Sequence, residues 1–128
     1  MHHFRYVKGR LHCEGSSIEA LVEQYGSPLY VYSSQTLSDH YTRLSQSLSE
    51  LDHSICYAVK ANSNLGVLHT LAKLGSGFDT VSQGELMRVK AVGGQQASVA
   101  TNSDREVSGT PRAHERSGAG ATVAVQWP

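Results

Sequence analysis

The sequence has few cysteines, no excess of either charge and no long apolar segment, and each of these features excludes a class of protein. Two cysteines, Cys13 and Cys56, make neither a disulfide framework nor a CxxC site, so we expect reduced thiols and a cytoplasmic protein. No apolar run approaches the roughly 20 residues of a membrane-spanning helix, and the first residues lack the apolar core of a signal peptide. Eleven Lys and Arg residues balance eleven Asp and Glu residues. This balance gives no electrostatic reason to expect nucleic acid or an anionic membrane as a partner.

The seven histidines do not form a pattern that would bind a metal. His2 and His3 are terminal, and His40, His53 and His69 fall on or beside predicted helices without acidic or cysteine partners at ligand spacing. We therefore expect solvated or helix-end histidines and no metal site.

The length of 128 residues allows one ordinary domain. It is too short for a complete (β/α)₈ barrel, which needs about 200 residues or more. The pattern changes along the chain, because residues 95–128 contain no Leu, Ile, Phe, Met or Tyr and no sustained helical or strand period. Such a segment buries too little apolar area to offset the ordering of its backbone. We expect residues 95–128 to be disordered and dispensable for the fold.

Residues 1–94 alternate between short apolar runs and helical stripes. The runs predict strands at Phe4–Val7, Arg10–Cys13, Leu29–Tyr32, Ser54–Val59 and Gly77–Val81. The stripes predict helices from Ser16 to Gly26, from Leu37 to Leu51, from Asn64 to Gly75 and from Ser82 to Gly93. Two of these helices begin with a capping box, Ser16-x-x-Glu19 and Ser82-x-x-Glu85. Apolar strands that alternate with helices are typical of parallel βαβ units, so the predicted fold class is α/β.

Lys60 is the strongest candidate for chemistry by its position. It directly follows a buried-type strand, and ligands of parallel α/β folds bind at the carboxyl ends of the strands. We expect an amine beside apolar strand residues to be partly desolvated, as a Schiff-base nucleophile requires. The alternative is an ordinary surface lysine at a junction between strand and loop.

Three segments of the chain resemble, in the same order, segments of the fold-type III pyridoxal-phosphate decarboxylases, and among these the diaminopimelate decarboxylases. They are YGSPLYVY at Tyr25–Tyr32, YAVKANSN at Tyr57–Asn64 and LGSGFDTVSQGE at Leu74–Glu85. Related families fit less well. Ornithine decarboxylases usually have Cys where Ala61 stands, and alanine racemases continue their Lys-Ala-Asn with Ala-Tyr-Gly.

The resemblance implies an alanine-racemase-like TIM barrel that is incomplete in this chain. Residues 1–33 would form a β and helix segment that leads into the barrel, residues 34–94 a partial pyridoxal-phosphate-binding barrel, and residues 95–128 a tail outside the family. The implied cofactor is pyridoxal 5′-phosphate. The implied reaction converts meso-2,6-diaminopimelate to L-lysine and CO₂ in a homodimeric enzyme.

The resemblance also assigns roles to individual residues. Lys60 would carry the cofactor, Ala58 would be the small residue beside its ring, and Asp79 would lie near it. Simple core packing for Ala58 and a strand-closing role for Asp79 are the alternatives. Glu85 matches a family glutamate near the same site, but its capping box alone would explain it.

Other parts that the resemblance implies are not found in the sequence: a phosphate-binding glycine-rich loop, a glutamate within Glu-Pro-Gly-Arg, a histidine stacked on the ring and a cysteine that the partner subunit would supply. We therefore expect an N-terminal fragment with an unrelated or frameshifted tail, inactive alone and loosely packed, because one face of its strands would lack a cover. Three alternatives stay open: a vestigial non-catalytic product, a fragment of an ornithine- or arginine-type decarboxylase, and a stand-alone cofactor-binding module.

Overall fold

A computed structural model describes residues 2–93 and, for their backbone, residues 99–101 and 121–125. The strands are β1 Phe4–Val7, β2 Arg10–Cys13, β3 Ser16–Ser17, β4 His53–Ala58, β5 Gly77–Thr80, β6 Val99–Thr101 and β7 Ala121–Val125. The α-helices are α1 Ile18–Tyr25, α2 Ser34–Ser47, α3 Leu65–Lys73 and α4 Gln83–Ala91, and a one-turn 3₁₀ helix spans Val59–Ala61. No helix of the described residues has the length and apolar content needed to cross a membrane.

The chain begins with a small antiparallel sheet in the order β1-β2-β3. The turn between β1 and β2 holds Lys8 at φ 50° and Gly9 at φ 79°. Two successive residues with positive φ match the twist of a tight hairpin, which is why glycine suits the second position. The two strands predicted around Lys8-Gly9 are confirmed.

The second sheet is parallel and has the order β6-β5-β4-β7. Helix α3 connects β4 to β5, and α4 follows β5, which confirms the predicted βαβ units. The predicted Asn64 cap is also confirmed, because its Oδ1 accepts hydrogen bonds from the backbone N–H groups of Gly66 (2.9 Å) and Val67 (3.4 Å). Gly75, at φ 87°, follows the end of this helix.

An apolar core lies between this sheet and its helices. Its fully or almost fully buried members are Tyr57, Val59, Val67, Leu68, Leu71, Phe78 and Val89. Four consecutive residues of β4, from Ile55 to Ala58, are buried. Because successive side chains of a strand point to opposite faces, both faces of β4 are covered. The expectation that one face of this strand is left uncovered was therefore wrong.

Two predicted elements differ in the structure. Leu29–Tyr32 is not a strand, and its Tyr30 is 83% exposed. Strand-favouring residues form a strand only beside a partner, and no strand of the described residues pairs with this segment. Helix α2 ends at Ser47 with Leu48 as its C-cap. The helix predicted from Leu37 to Leu51 therefore does not extend to Leu51.

The capping box predicted at Ser16 and Glu19 is wrong. Ser16 belongs to β3 and pairs with Cys13, and the helix begins two residues later with Ser17 as its N-cap. Glu19 forms an ion pair with Arg10 instead, at 3.3 Å between Oε2 and Nε. The antiparallel pairing of β3 with β2 thus takes precedence over the local capping motif.

Two segments within residues 95–128 form strands, so the expectation of disorder was wrong for them. Val99–Thr101 pairs with β5 and Ala121–Val125 pairs with β4, both in parallel register. Val and Thr are favoured in strands, and hydrogen bonds along an existing strand do not require large apolar side chains. These two strands argue against the expectation that residues 95–128 are dispensable for the fold, and the rest of this segment lies outside the described residues.

Glu14, which directly follows the amino-terminal hairpin, forms hydrogen bonds with residues at the start of α2. Its Oε1 accepts hydrogen bonds from the Ser33 hydroxyl (2.7 Å) and the Gln35 backbone N–H (2.9 Å). A second contact joins His3 Nε2 to Asp39 Oδ2 at 2.6 Å. The hydrogen bond from the Gln35 backbone, and then that from Ser33, lower the pKa of the Glu14 carboxyl below its usual value of 4.5.

We expect the attachment of the hairpin to weaken in acid because of Glu14. A carboxyl with a lowered folded-state pKa contributes stability that is fully present above its unfolded pKa and is lost as the pH falls through the folded pKa. Denaturation measured across acid pH should show this loss in the wild type. The Glu14→Gln variant has no carboxyl at this position, so its folding stability should fall less than that of the wild type as the pH is lowered. An identical acid profile for the two proteins would contradict the assignment.

Candidate cofactor site at the carboxyl edge of the sheet

The predicted site residues lie together where β4 and β5 end. Ala58 and Asp79 are direct partners in the parallel register of these two strands. Lys60 follows two residues after Ala58, on the 3₁₀ helix Val59–Ala61, which packs against β5. A small side chain and a carboxylate therefore lie side by side at the edge where parallel sheets bind ligands, and the lysine follows them at the same edge.

Lys60 is exposed, whereas the residue before it, Val59, is completely buried. The expectation of a partly desolvated amine was wrong for this chain. The reason is local, because the backbone leaves the sheet after Ala58 and the one-turn helix carries the lysine away from the apolar strand. Its amine is accessible to a group that binds at this edge.

The carboxylate of Asp79 indicates whether a polar ligand could bind at this edge. Its Oδ1 atom is buried and has no hydrogen-bond partner among the described residues. A buried acceptor without a donor costs about 1–3 kcal/mol, so such atoms are uncommon in folded proteins. A polar group bound at this edge would relieve that cost. This unpaired oxygen, the Lys60 amine and the small buried side chain of Ala58 are compatible with the cofactor that the resemblance implies.

The residues that follow Lys60 are held by several hydrogen bonds. We call residues 59–64 the Lys60 turn. The hydroxyl of Tyr57 donates to the backbone oxygen of Asn62 (3.2 Å), and the backbone N–H of Asn64 donates to Asn62 Oδ1 (3.0 Å). From α4, Arg88 Nη1 donates to the backbone oxygen of Ser63 (3.4 Å). Burial raises the pKa of the Tyr57 hydroxyl, and the electrostatic effect of the nearby Tyr32 raises it further. The hydroxyl therefore keeps its proton at neutral pH.

The capping explanation of Glu85 is confirmed. Its backbone N–H donates to Ser82 Oγ (3.3 Å), and its Oε2 accepts from the backbone N–H of Val81 (2.8 Å). The carboxylate reaches one residue further back than in the usual capping box. In the described residues no group of three or more His, Cys, Asp and Glu side chains could hold a metal ion.

The sequence profile of a family described as "Pyridoxal-dependent decarboxylase, pyridoxal binding domain" matches residues 34–122. The match extends beyond Gly94, the residue at which the resemblance was expected to end. The curated diaminopimelate decarboxylase of Vibrio cholerae is 55% identical over 100 residues, which cover 77% of this chain and 24% of the relative. The chain thus spans about a quarter of the length of the curated relatives that it matches.

Several solved structures have a similar fold, including those of two decarboxylases. Diaminopimelate decarboxylase from M. jannaschii in co-complex with L-lysine superposes with a TM-score of 0.71 at 32% identity, over 77% of this chain and 24% of that one. Lysine decarboxylase from Selenomonas ruminantium gives 0.59 at 28% identity, over 73% of this chain and 23% of that one. The α/β fold class and the predicted resemblance are confirmed. The chain belongs to the pyridoxal-dependent decarboxylase family and is similar, within it, to the diaminopimelate decarboxylases.

Proposed function

We propose that this chain forms the lysine-bearing part of a pyridoxal-phosphate-dependent diaminopimelate decarboxylase, and that Lys60 holds the cofactor. The observation that carries the proposal is the unpaired, buried Asp79 Oδ1 at the sheet edge from which Lys60 extends. The Lys60 amine would form the covalent bond with a bound aldehyde cofactor, and the unpaired Asp79 oxygen would accept a hydrogen bond from a donor that the cofactor supplies. An ordinary surface lysine would not explain the unpaired carboxylate.

Each residue has a distinct part in this proposal. Lys60 supplies the amine that attaches the cofactor, and Asp79 accepts a hydrogen bond from a group at the same edge. Ala58 is 4% exposed and pairs with Asp79 in the register of the two strands, so it would be the small residue beside the bound ring. When bound, the cofactor supplies the electron sink for the pair released as a carboxylate leaves an amino acid.

The substrate assignment rests on the relatives. Three curated relatives at 50–55% identity are diaminopimelate decarboxylases, which supports meso-2,6-diaminopimelate as substrate and L-lysine with CO₂ as products. The similarity to a lysine decarboxylase structure keeps another amino-acid decarboxylase as the second candidate. We further propose a cytoplasmic, homodimeric enzyme, in which residues 34–94 belong to the barrel and residues 1–33 lead into it.

Covalent trapping tests the role of Lys60. The lysine amine and the aldehyde of pyridoxal phosphate condense with loss of one water, and borohydride reduction then makes the bond permanent. We expect peptide mapping of the reduced chain to find the label on Lys60 in preference to Lys8, Lys73 and Lys90, because Lys60 alone among them follows the end of β4, at the sheet edge where the unpaired Asp79 oxygen lies. An even distribution over the four lysines would contradict the proposal.

The matched controls are Lys60→Arg and Lys73→Arg, since arginine keeps the charge but does not condense with the aldehyde under these conditions. Lys60→Arg should remove the preferred label, and Lys73→Arg should leave it unchanged. Asp79→Asn should reduce the preference for Lys60 over Lys90 if the carboxylate takes part in binding. These comparisons separate a specific site from general lysine reactivity.

A further inference from the structure

The Lys60 turn has a fixed anchor inside the core, the side chain of Tyr57. This tyrosine is 4% exposed and is a member of the core cluster, yet its hydroxyl reaches the backbone oxygen of Asn62. Tyr57 is on β4, and Asn62 lies two residues after Lys60. The hydrogen bond therefore ties the segment after the lysine back to the strand before it.

The same segment is tied forward to α3 by two asparagines. Asn62 Oδ1 accepts from the backbone N–H of Asn64, and Asn64 Oδ1 accepts from the backbone N–H groups at the start of α3. Arg88 adds a longer, exposed contact to the backbone oxygen of Ser63. A continuous series of hydrogen bonds thus runs from β4, through the Lys60 turn, to the first turn of α3.

We propose that Tyr57 is a positioning residue, whose hydroxyl holds the Lys60 turn so that the Lys60 amine is presented at the edge of β4 and β5. This inference rests on the proposed function and deepens it. Val59, completely buried on one side of Lys60, and the bound Asn62, on the other, leave the lysine little backbone freedom. Its own side chain is long and flexible, so a fixed backbone is the main means by which the protein can place its amine.

The test compares Tyr57→Phe with wild type in the full chain. Phenylalanine keeps the apolar ring in the core and removes only the hydroxyl. We expect amide exchange of Asn64, whose N–H depends on the position of Asn62, to accelerate by about two- to tenfold, the range for one lost neutral hydrogen bond. In pyridoxal phosphate trapping, the rate at Lys60 relative to Lys73 in the same sample should fall by a similar factor.

Tyr41→Phe is the matched control, because Tyr41 is half-buried against the same core but lies on α2. It should change neither the Asn64 exchange nor the trapping ratio, even if it lowers stability. Unchanged exchange in Tyr57→Phe would overturn the inference, and so would equal changes in the two variants. A wild-type chain without preference for Lys60 would overturn the proposed function, while the exchange measurement would still decide whether Tyr57 holds the turn.

Discussion

Incubated with meso-diaminopimelate and pyridoxal phosphate, the 128-residue chain is expected to release no CO₂ above the level of its Lys60→Ala variant. The chain matches about a quarter of the length of its curated relatives. The sequence provides the lysine, the small residue and the aspartate of the proposed site. The glycine-rich phosphate loop and the Glu-Pro-Gly-Arg segment that the resemblance implies are not found in it. Without a partner for the pyridine nitrogen, the electron sink is weak.

The control for this assay is the comparison with Lys60→Ala itself. Decarboxylation by a contaminating enzyme would be equal in the two preparations, because it does not depend on Lys60. Turnover by the wild type that disappears in Lys60→Ala would contradict the prediction. It would show that the chain, with its own residues, completes an active site.

Phe78→Ala is expected to remove a large part of the folding stability of the chain. Phe78 is completely buried in the middle of β5, beside Tyr57 of β4. Truncation of a buried phenylalanine costs about 3–5 kcal/mol, since it removes apolar contacts and leaves a cavity. Typical domains are stable by about 5–15 kcal/mol, so the variant should unfold at much lower urea concentration. Urea titration followed by circular dichroism measures the change.

Tyr30→Ala is the matched control for the loss of an aromatic ring, because Tyr30 is 83% exposed. Its effect should lie within about 0.5 kcal/mol, as for most surface substitutions. Equal and small effects of the two substitutions would mean that the core around Phe78 is not tightly packed. That result would support the loosely packed state expected from the sequence.

The elements that could be predicted from sequence are those with local causes. Asn64 and Ser82 cap their helices through neighbouring backbone groups, and Gly9 permits its turn through its own φ. Two segments whose state depends on a distant partner were predicted wrongly. Leu29–Tyr32 has the composition of a strand without a paired strand in the described residues, whereas Ala121–Val125 forms a strand on β4 despite its weak pattern.

Some features of the candidate site could be predicted from the sequence, and others could not. Lys60, Ala58 and Asp79 follow from the order of strands and from the resemblance, because neighbouring parallel strands end at one edge. The exposure of Lys60 depends on the one-turn helix after β4, for which the sequence has no clear signal. The partner of the Tyr57 hydroxyl could not be predicted either, since Asn62 is identified only once the backbone path of the turn is known.

A chimeric enzyme tests the central claim most directly. The matching segment of the Vibrio cholerae decarboxylase, 55% identical to this chain, is replaced by residues 2–93 of this chain, and CO₂ release from meso-diaminopimelate is measured. We predict an active chimera whose activity is lost in Lys60→Ala and kept in Lys73→Ala. A chimera that folds but is inactive, or one whose activity survives Lys60→Ala, would contradict the assignment of Lys60 as the cofactor-bearing residue of a diaminopimelate decarboxylase.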